Sequence, residues 1–242
     1  MIFYTPEINN YRCFLNEVES MHAVKALRLK TGDEIALIDG RGGFYKAVIV
    51  DPHPKSCELK VVEQQLQYGK RQYRLHIGIA PTKNIARFEW FVEKAVEIGI
   101  DEITPLLCER SERKTLSSER LLRIMIAAMK QSKKAYLPQL NEVLSFNDWL
   151  KNIACEKTEN AQRYIAHCNN ASHSKDAREL LKDVYKSGHN TTIAIGPEGD
   201  FSMQEVELAN SHGLSCISLG TSILRTETAG VAACHSIYFM NN

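Results

Sequence analysis

The sequence predicts an α/β protein with a mainly parallel sheet, preceded by a small β-barrel. Three observations carry that prediction. Short β-type runs broken by turn residues fill positions 1–68; from Leu75 onward, strand-length apolar runs alternate with segments of helical period; and near the C-terminus two strand-like runs each break into a polar, glycine-bearing loop.

In the first segment, residues 34–38, 44–50 and 57–62 read as strands. They are separated by Thr31-Gly32-Asp33, Asp39-Gly40-Arg41-Gly42-Gly43 and Asp51-Pro52-His53-Pro54, and strands at that spacing suggest a barrel. The stretch 64–72 is polar and glycine-broken, as expected of a linker, which divides the chain into domains 1–68 and 73–242.

After the linker, 75–80 reads as a buried strand. Residues 85–98 read as a helix on the spacing of Ile85, Phe88, Val92, Ala95 and Val96, and 103–107 as a strand, so the unit is β-α-β. A helix over 118–134, a strand over 164–167 and a helix over 175–185 continue the rhythm, while 144–153 shows no clear period. The alternation implies a largely parallel sheet covered on both faces.

The chain has 242 residues, 44% hydrophobic and 24% charged, enough to bury a core as one large or two modest domains. A net charge of +1 excludes a uniformly basic nucleic-acid binder, so an anionic partner must meet a local patch. The patch is 108–134, where Arg110, Arg113, Lys114, Arg120, Arg123, Lys130, Lys133 and Lys134 stand against Glu109, Glu112 and Glu119; a solvated helix face is the alternative. No apolar stretch approaches the roughly 20 residues of a membrane helix and no signal-peptide pattern opens the chain, so a cytoplasmic protein without membrane contact is expected. Seven cysteines without a C-x-x-C pair read as reduced thiols, and eight histidines without H-E-x-x-H spacing argue against a metal site.

The C-terminal loops are Gly196-Pro197-Glu198-Gly199-Asp200 and Leu219-Gly220-Thr221-Ser222-Ile223-Leu224-Arg225. Their strands are expected to be neighbours, so that the two loops build a cleft at one sheet edge, where open α/β folds place ligands. Ser202 and Glu205 have capping-box spacing for the next helix, and Gly213 suits its end. Residues 196–199 fit neither a Walker loop nor G-x-G-x-x-G, yet their glycines let backbone approach a flat polar ligand; the alternative is a plain turn with Glu198 facing the positive helix end. Ile223 and Leu224, followed by Arg225 and Glu227, suit a pocket wall; the alternative is an Arg225–Glu227 pair that holds the loop.

Together, G-P-E-G-x-F-S at 196–202, S-L-G-x-x-I-L-R-T-E-T-A at 218–229 and E-K-A-V-E-I-G at 93–99 resemble the small-subunit ribosomal RNA methyltransferase E family of the SPOUT superfamily. The resemblance covers nearly the whole chain. Residues 22–33 are similar to the family's first, PUA-like barrel domain, and residues 108–113 and Gln131-Ser132 ahead of Pro138 also match.

The resemblance implies an enzyme that uses S-adenosyl-L-methionine to methylate N3 of one uridine in 16S rRNA near the decoding centre, with rRNA or the small subunit as partner. It also implies a homodimer formed through a deeply knotted C-terminal domain whose last helix threads the knot. The loops after His167, Ile195 and Leu219 would cradle the cofactor through His167, Ile195, Gly196, Pro197, Glu198, Gly199, Leu219, Gly220, Ile223 and Leu224. Deprotonating N3 places negative charge on the ring, which Arg225 would stabilise. Glu198 and Glu227 are the nearest acids, and Arg28, Lys30, Arg110, Arg113 and Lys114 would meet RNA phosphate. Attack at nitrogen needs no covalent adduct, so Cys108 has no assigned role.

The sequence departs from the family at three places: Asp200 where a second glycine is usual, with its side chain expected in solvent; Thr221-Ser222 for a Pro-Arg pair; and Lys130 where an acid is frequent. Rival readings are a SPOUT enzyme with another target, such as a tRNA or rRNA ribose, and a non-catalytic RNA-binding relative.

Overall fold

Alternation of inward and outward side chains shapes the first part of the computed structural model, which describes residues 1–8, 11–155, 161–168 and 179–242. This first unit comprises Met1–Arg71 with Met125–Leu137. Its strands are β1 (Ile2–Tyr4), β2 (Arg12–Phe14), β3 (Glu34–Ile38), β4 (Phe44–Asp51) and β5 (Glu58–Gln65), ordered β1-β3-β4-β5-β2, and α1 (Glu17–Met21) runs into a π-helical turn at His22–Ala26. Cys13, Ile35, Leu37, Ala47, Ile49, Leu59 and Val61 face inward with Phe3 and Leu15, forming one core. Register shifts between β4 and β5 at Lys46/Ala47 and Ile49/Asp51 increase the local twist and curl the sheet into a half-barrel.

β5 extends into the stretch expected as linker, because Gln64 and Gln65 pair with Tyr45 and Phe44. β1, β2 and α1 escape sequence patterning: three-residue strands show too few alternations to register a period. Lys130 has a partner within this unit. Its Nζ lies 2.5 Å from Oε1 of the buried Glu19 and 5.9 Å from the Phe3 ring centroid, so a base here neutralises a carboxylate that has left water.

The second unit comprises Gln72–Ile124 and Pro138–Asn242. In chain order it contains β6 (Leu75–Ile79), α2 (Ile85–Ile98), β7 (Glu102–Leu107), the first half of α3 (Ser118–Gln131), β8 (Gln139–Leu140), β9 (Leu144–Ser145), α4 (Phe146–Cys155), β10 (Gln162–Ala166), β11 (Glu179–Leu180), α5 (Leu181–Val184), β12 (Thr191–Ile195), α6 (Met203–Ser211), β13 (Ser215–Ser218) and α7 (Thr226–Met240). The strands order as β11-β13-β10-β12-β6-β7-β8, with β9 beside β7, and every pair is parallel. Every residue of β6 and β12 is buried, as expected for central strands covered on both faces.

One expectation is corrected here. The strands before the two C-terminal loops are not neighbours: β10 lies between them, with Ile165 opposite Ala194 of β12 and Cys216 of β13. Periodicity identifies strands, but lateral order is decided by crossovers that leave no local signal. The stretch without a clear period, 144–153, forms β9 and α4, in which Phe146, Trp149, Leu150 and Ile153 are buried at helical spacing. Of the helix expected over 175–185, residues 175–178 lie outside the described residues, while 179–185 holds β11 and the single turn α5.

α2 buries Phe88, Phe91, Val92, Ala95 and Val96, and its N-cap Asn84 accepts from Ala86 N. α7 packs along it through Gly230, where an added Cβ would lie 2.6 Å from the Phe91 ring. Gly230→Ala must displace that buried ring. It is expected to destabilise the protein by about 1–3 kcal/mol, read as a lower urea midpoint at unchanged slope.

At the amino ends of the central strands, buried Glu102 accepts from Arg74 and Asn141, and His76 Nε2 lies 2.8 Å from Thr104 Oγ1. Desolvation first, and the nearby Arg74 charge second, lower the His76 pKa to about 3. The folded state therefore holds His76 neutral, whereas the unfolded chain protonates it near pH 6.5. Its contribution is present above pH 6.5 and is lost as pH falls toward 3, with a slope of at most about 1.4 kcal/mol per pH unit. Urea unfolding of wild type and His76→Gln across that window should show a flatter acid limb for the variant.

Candidate active site

The turn after β12 is held by hydrogen bonds to other segments, each with a backbone atom on one side. Glu198 Oε1 accepts from Lys83 N at 2.9 Å, Gly199 O accepts from Arg110 Nη1 at 2.8 Å, and Gly196 O accepts from Thr226 Oγ1 at 3.0 Å. Pro197 O accepts from Asp200 N at 2.9 Å, closing the turn. Glu205 completes the capping box with Ser202 and, through Oε1, also accepts from Glu109 N at 2.8 Å. Gly213, just past the end of α6, has φ +83°, the left-handed conformation its position requires.

Asp200 does not point into solvent. Its Oδ2 accepts from Cys168 N at 2.8 Å and its Oδ1 from Phe201 N at 2.9 Å, which fastens this turn to the end of β10. Its φ of +61° explains why glycine is an alternative at this position.

A cleft of about 530 Å³ opens at the carboxyl ends of β10 and β13. Of the residues expected at a cofactor, His167, Leu219, Gly220, Ile223 and Leu224 line it, together with Ala166, Cys168 and Ala229, which the sequence did not single out. Ile195, Gly196, Pro197, Glu198 and Gly199 are not in its lining; they belong to the turn that Asp200 ties to Cys168. Gly220 has φ +134° and open space where a Cβ would stand, so backbone is presented directly to whatever enters. The mixture of apolar side chains and backbone polar groups suits a small organic ligand.

Arg225 and Glu227 face a second depression, of about 510 Å³, bounded also by Ala86, Arg87, Trp90 and Thr228. Arg225 is exposed and makes no ion pair among the described residues. The expected alternative of an Arg225–Glu227 pair is replaced by Arg87, whose Nε lies 3.8 Å from Glu227 Oε1. Glu227 is buried in the first turn of α7, and its Oε2 has no hydrogen-bond partner among the described residues. Arg87 and Trp90 were missed in sequence. The available signal was a tryptophan on the polar face of an amphipathic helix whose apolar face is already complete.

Arg110 and Arg113 serve as struts. Arg113 Nε donates to Thr82 O and its Nη2 to Lys83 O at 2.8 Å, so both arginines hold the loop after β7 against neighbouring turns. Lys114, Arg28 and Lys30 are exposed. Burial pushes the Cys108 thiol well above its usual range, which suits a packing residue. Among the described residues no group of three His, Cys, Asp or Glu could hold a metal ion, and no helix is long and apolar enough to cross a membrane.

Comparison with known proteins gives this geometry a family. A profile for the RNA methyltransferase domain matches residues 69–238, and one for the RNA methyltransferase PUA domain matches residues 15–62. The ribosomal RNA small subunit methyltransferase E of Rickettsia conorii is 30% identical over 217 residues, covering 88% of this chain and 84% of that one. The chain belongs to the ribosomal RNA small subunit methyltransferase E family. Among solved structures of similar fold, a probable rRNA-methyltransferase from Porphyromonas gingivalis superposes with a TM-score of 0.89 at 41% identity, covering 99% of this chain and 98% of that one. A family member from Neisseria gonorrhoeae, solved bound to S-adenosyl methionine, shares the fold at a TM-score of 0.84 and 22% identity, covering 99% and 97%.

Asp200 gives a test of how this member of the family closes its turn. Asp200→Gly loses the two accepted bonds without backbone strain and should cost about 1 kcal/mol. Asp200→Ala adds left-handed strain of about 1 kcal/mol more, and urea unfolding of the two variants would resolve that order.

Proposed function

We propose that the protein transfers a methyl group from S-adenosyl-L-methionine to N3 of a uridine in 16S rRNA near the decoding centre, as a cytoplasmic homodimer. The observation that carries this reading is the glycine-bearing cleft at the carboxyl ends of β10 and β13, adjoining a segment that turns the exposed Arg225 the other way. The cleft fits the cofactor in size, in its apolar lining and in the open approach at Gly220. His167, Leu219, Gly220, Ile223 and Leu224 would hold it directly, and the turn 195–199 would hold it from the strand end beside them. When bound, the cofactor supplies an electrophilic methyl group on a sulfonium.

The chain's own residues do the rest. Hydrogen bonds between the loops fix their paths before any ligand arrives, which places the burden of catalysis on positioning. Arg225 faces the negative charge that develops on the uracil oxygens as N3 loses its proton. Glu198 has one carboxylate oxygen occupied by Lys83 N, whereas Glu227 keeps one unpartnered. Arg28, Lys30 and Lys114 would meet phosphate, with Arg110 and Arg113 shaping the loop that carries Lys114. Exposed Phe239 and Tyr238 on α7 support a dimer through that helix, and the insertion of β10 between the later strands β12 and β13 supports a knotted chain path.

Labelled S-adenosyl-L-methionine and small-subunit RNA or particles lacking the modification are expected to give label on N3 of a single uridine. Label on a ribose hydroxyl or on tRNA would favour a SPOUT enzyme with a different target, and binding without transfer would favour a non-catalytic relative. In the same assay Arg225→Ala should lower the single-turnover rate about 10²-fold at unchanged cofactor affinity. Lost cofactor affinity with an intact rate would remove Arg225 from this role.

A further inference from the structure

Glu227 is a buried carboxylate with one oxygen lacking a partner among the described residues, and it borders an open depression. A buried acceptor without a donor is costly, so a site that keeps one is completed by something that brings an N–H or O–H. Its other oxygen is approached by Arg87, 3.8 Å away, and Arg225 stands on the same rim. The depression thus carries two cations and one carboxylate. Beside it Trp90 is 42% exposed, while its neighbours Phe88 and Phe91 are fully buried, so its ring is not needed to fill the core. Segment 224–229 is a common wall: Leu224 and Ala229 line the cleft described above, and Arg225, Glu227 and Thr228 line the depression.

The pairing edge of uracil presents acceptor, donor, acceptor: O2, N3–H and O4. That is the complement of this rim. Cytosine presents a bare N3 and an amino group, which would set an acceptor against the carboxylate and a donor against a cation. We propose that the depression formed by Trp90, Arg87, Arg225 and Glu227 is the base subsite, in which a flipped uracil stacks on Trp90, the Glu227 carboxylate takes the N3 proton, and Arg87 is a positioning residue for that carboxylate. This deepens the function proposed above and rests on it for the identity of the reaction. The N3–H bond breaks, its proton passing to Glu227 and its electron pair staying on N3. That pair forms the bond to the methyl carbon while the carbon–sulfur bond breaks, its electrons returning to sulfur, so a neutral thioether and a protonated carboxyl result. Reading a flipped base by its pairing edge and by stacking is a general solution for enzymes that modify bases.

The protein has two tryptophans, and Trp149 is buried, so emission from Trp90 reports on this depression. Titration of the cofactor-saturated protein with uridine 5′-monophosphate should quench that emission saturably, and cytidine 5′-monophosphate should bind at least about tenfold more weakly, the order of one good base-edge pairing. Trp90→Phe should abolish the signal. Glu227→Gln, whose amide can also donate, should narrow the preference for uridine and lower the single-turnover methylation rate about 10²–10⁴-fold, with cofactor affinity and melting temperature held. Glu227→Asp should restore part of both. Arg87→Ala should lower the rate, and Arg87→Lys should recover some of it. Equal or absent quenching by the two nucleotides, or wild-type methylation by Glu227→Gln, would overturn the assignment. Methylation by the wild-type protein at another atom would sink the parent reading instead, leaving the nucleotide titration to judge the subsite.

Discussion

The turn Gly196–Asp200 is the constraint on which the carboxyl edge of the sheet depends. Five successive residues each make one or more hydrogen bonds, and these reach the turn after β6, the loop after β7, the end of β10 and the start of α7. Several are charge-assisted and directed at backbone atoms, so they fix chain paths as well as side-chain rotamers. Loops at a strand edge are ordinarily the mobile part of an α/β fold. Here one turn serves as a rivet for four of them, and the cleft inherits its shape from it.

Two of the three departures expected from the family resemblance have a structural reason. Asp200 replaces a glycine and supplies the acceptor that ties β12 to β10, a bond that glycine cannot make. Lys130 replaces an acid and finds the buried Glu19 opposite it in its own unit. Both substitutions convert a local exception into a contact, and each is intelligible only with the partner in view. Segment 224–229 shows the same economy: its two faces border two different cavities, so a few residues can set the geometry between two ligands.

Much of this was legible in the sequence. Buried strands announced themselves as unbroken apolar runs, the capping box at Ser202 and Glu205 was spelled out, and the period of 85–98 gave α2 to the residue. What was not legible is lateral and relational. No local pattern says that β10 inserts between β12 and β13, so the two strands were expected side by side, and His167 was singled out only through the family resemblance. Nor does spacing say whom a charged side chain meets. Arg110 and Arg113 donate to carbonyls of neighbouring turns, and Glu227 turns to Arg87 where the alternative to a pocket wall had paired it with Arg225. Helix α4 is the converse case, since the spacing of Phe146, Trp149, Leu150 and Ile153 was there to be seen.

The position of β12 has a consequence for how the protein is made. β6 is synthesised early, yet its neighbour on one side, β12, comes more than a hundred residues later, with Leu75 opposite Thr191. A ribosome therefore releases β6 with one edge bare, and the bare edge must wait through most of translation. Such long-range parallel pairing is slow because loop closure precedes its reward. The cleft, whose walls come from the last third of the chain, is the final thing to exist, and a nascent or truncated chain would carry the barrel without it.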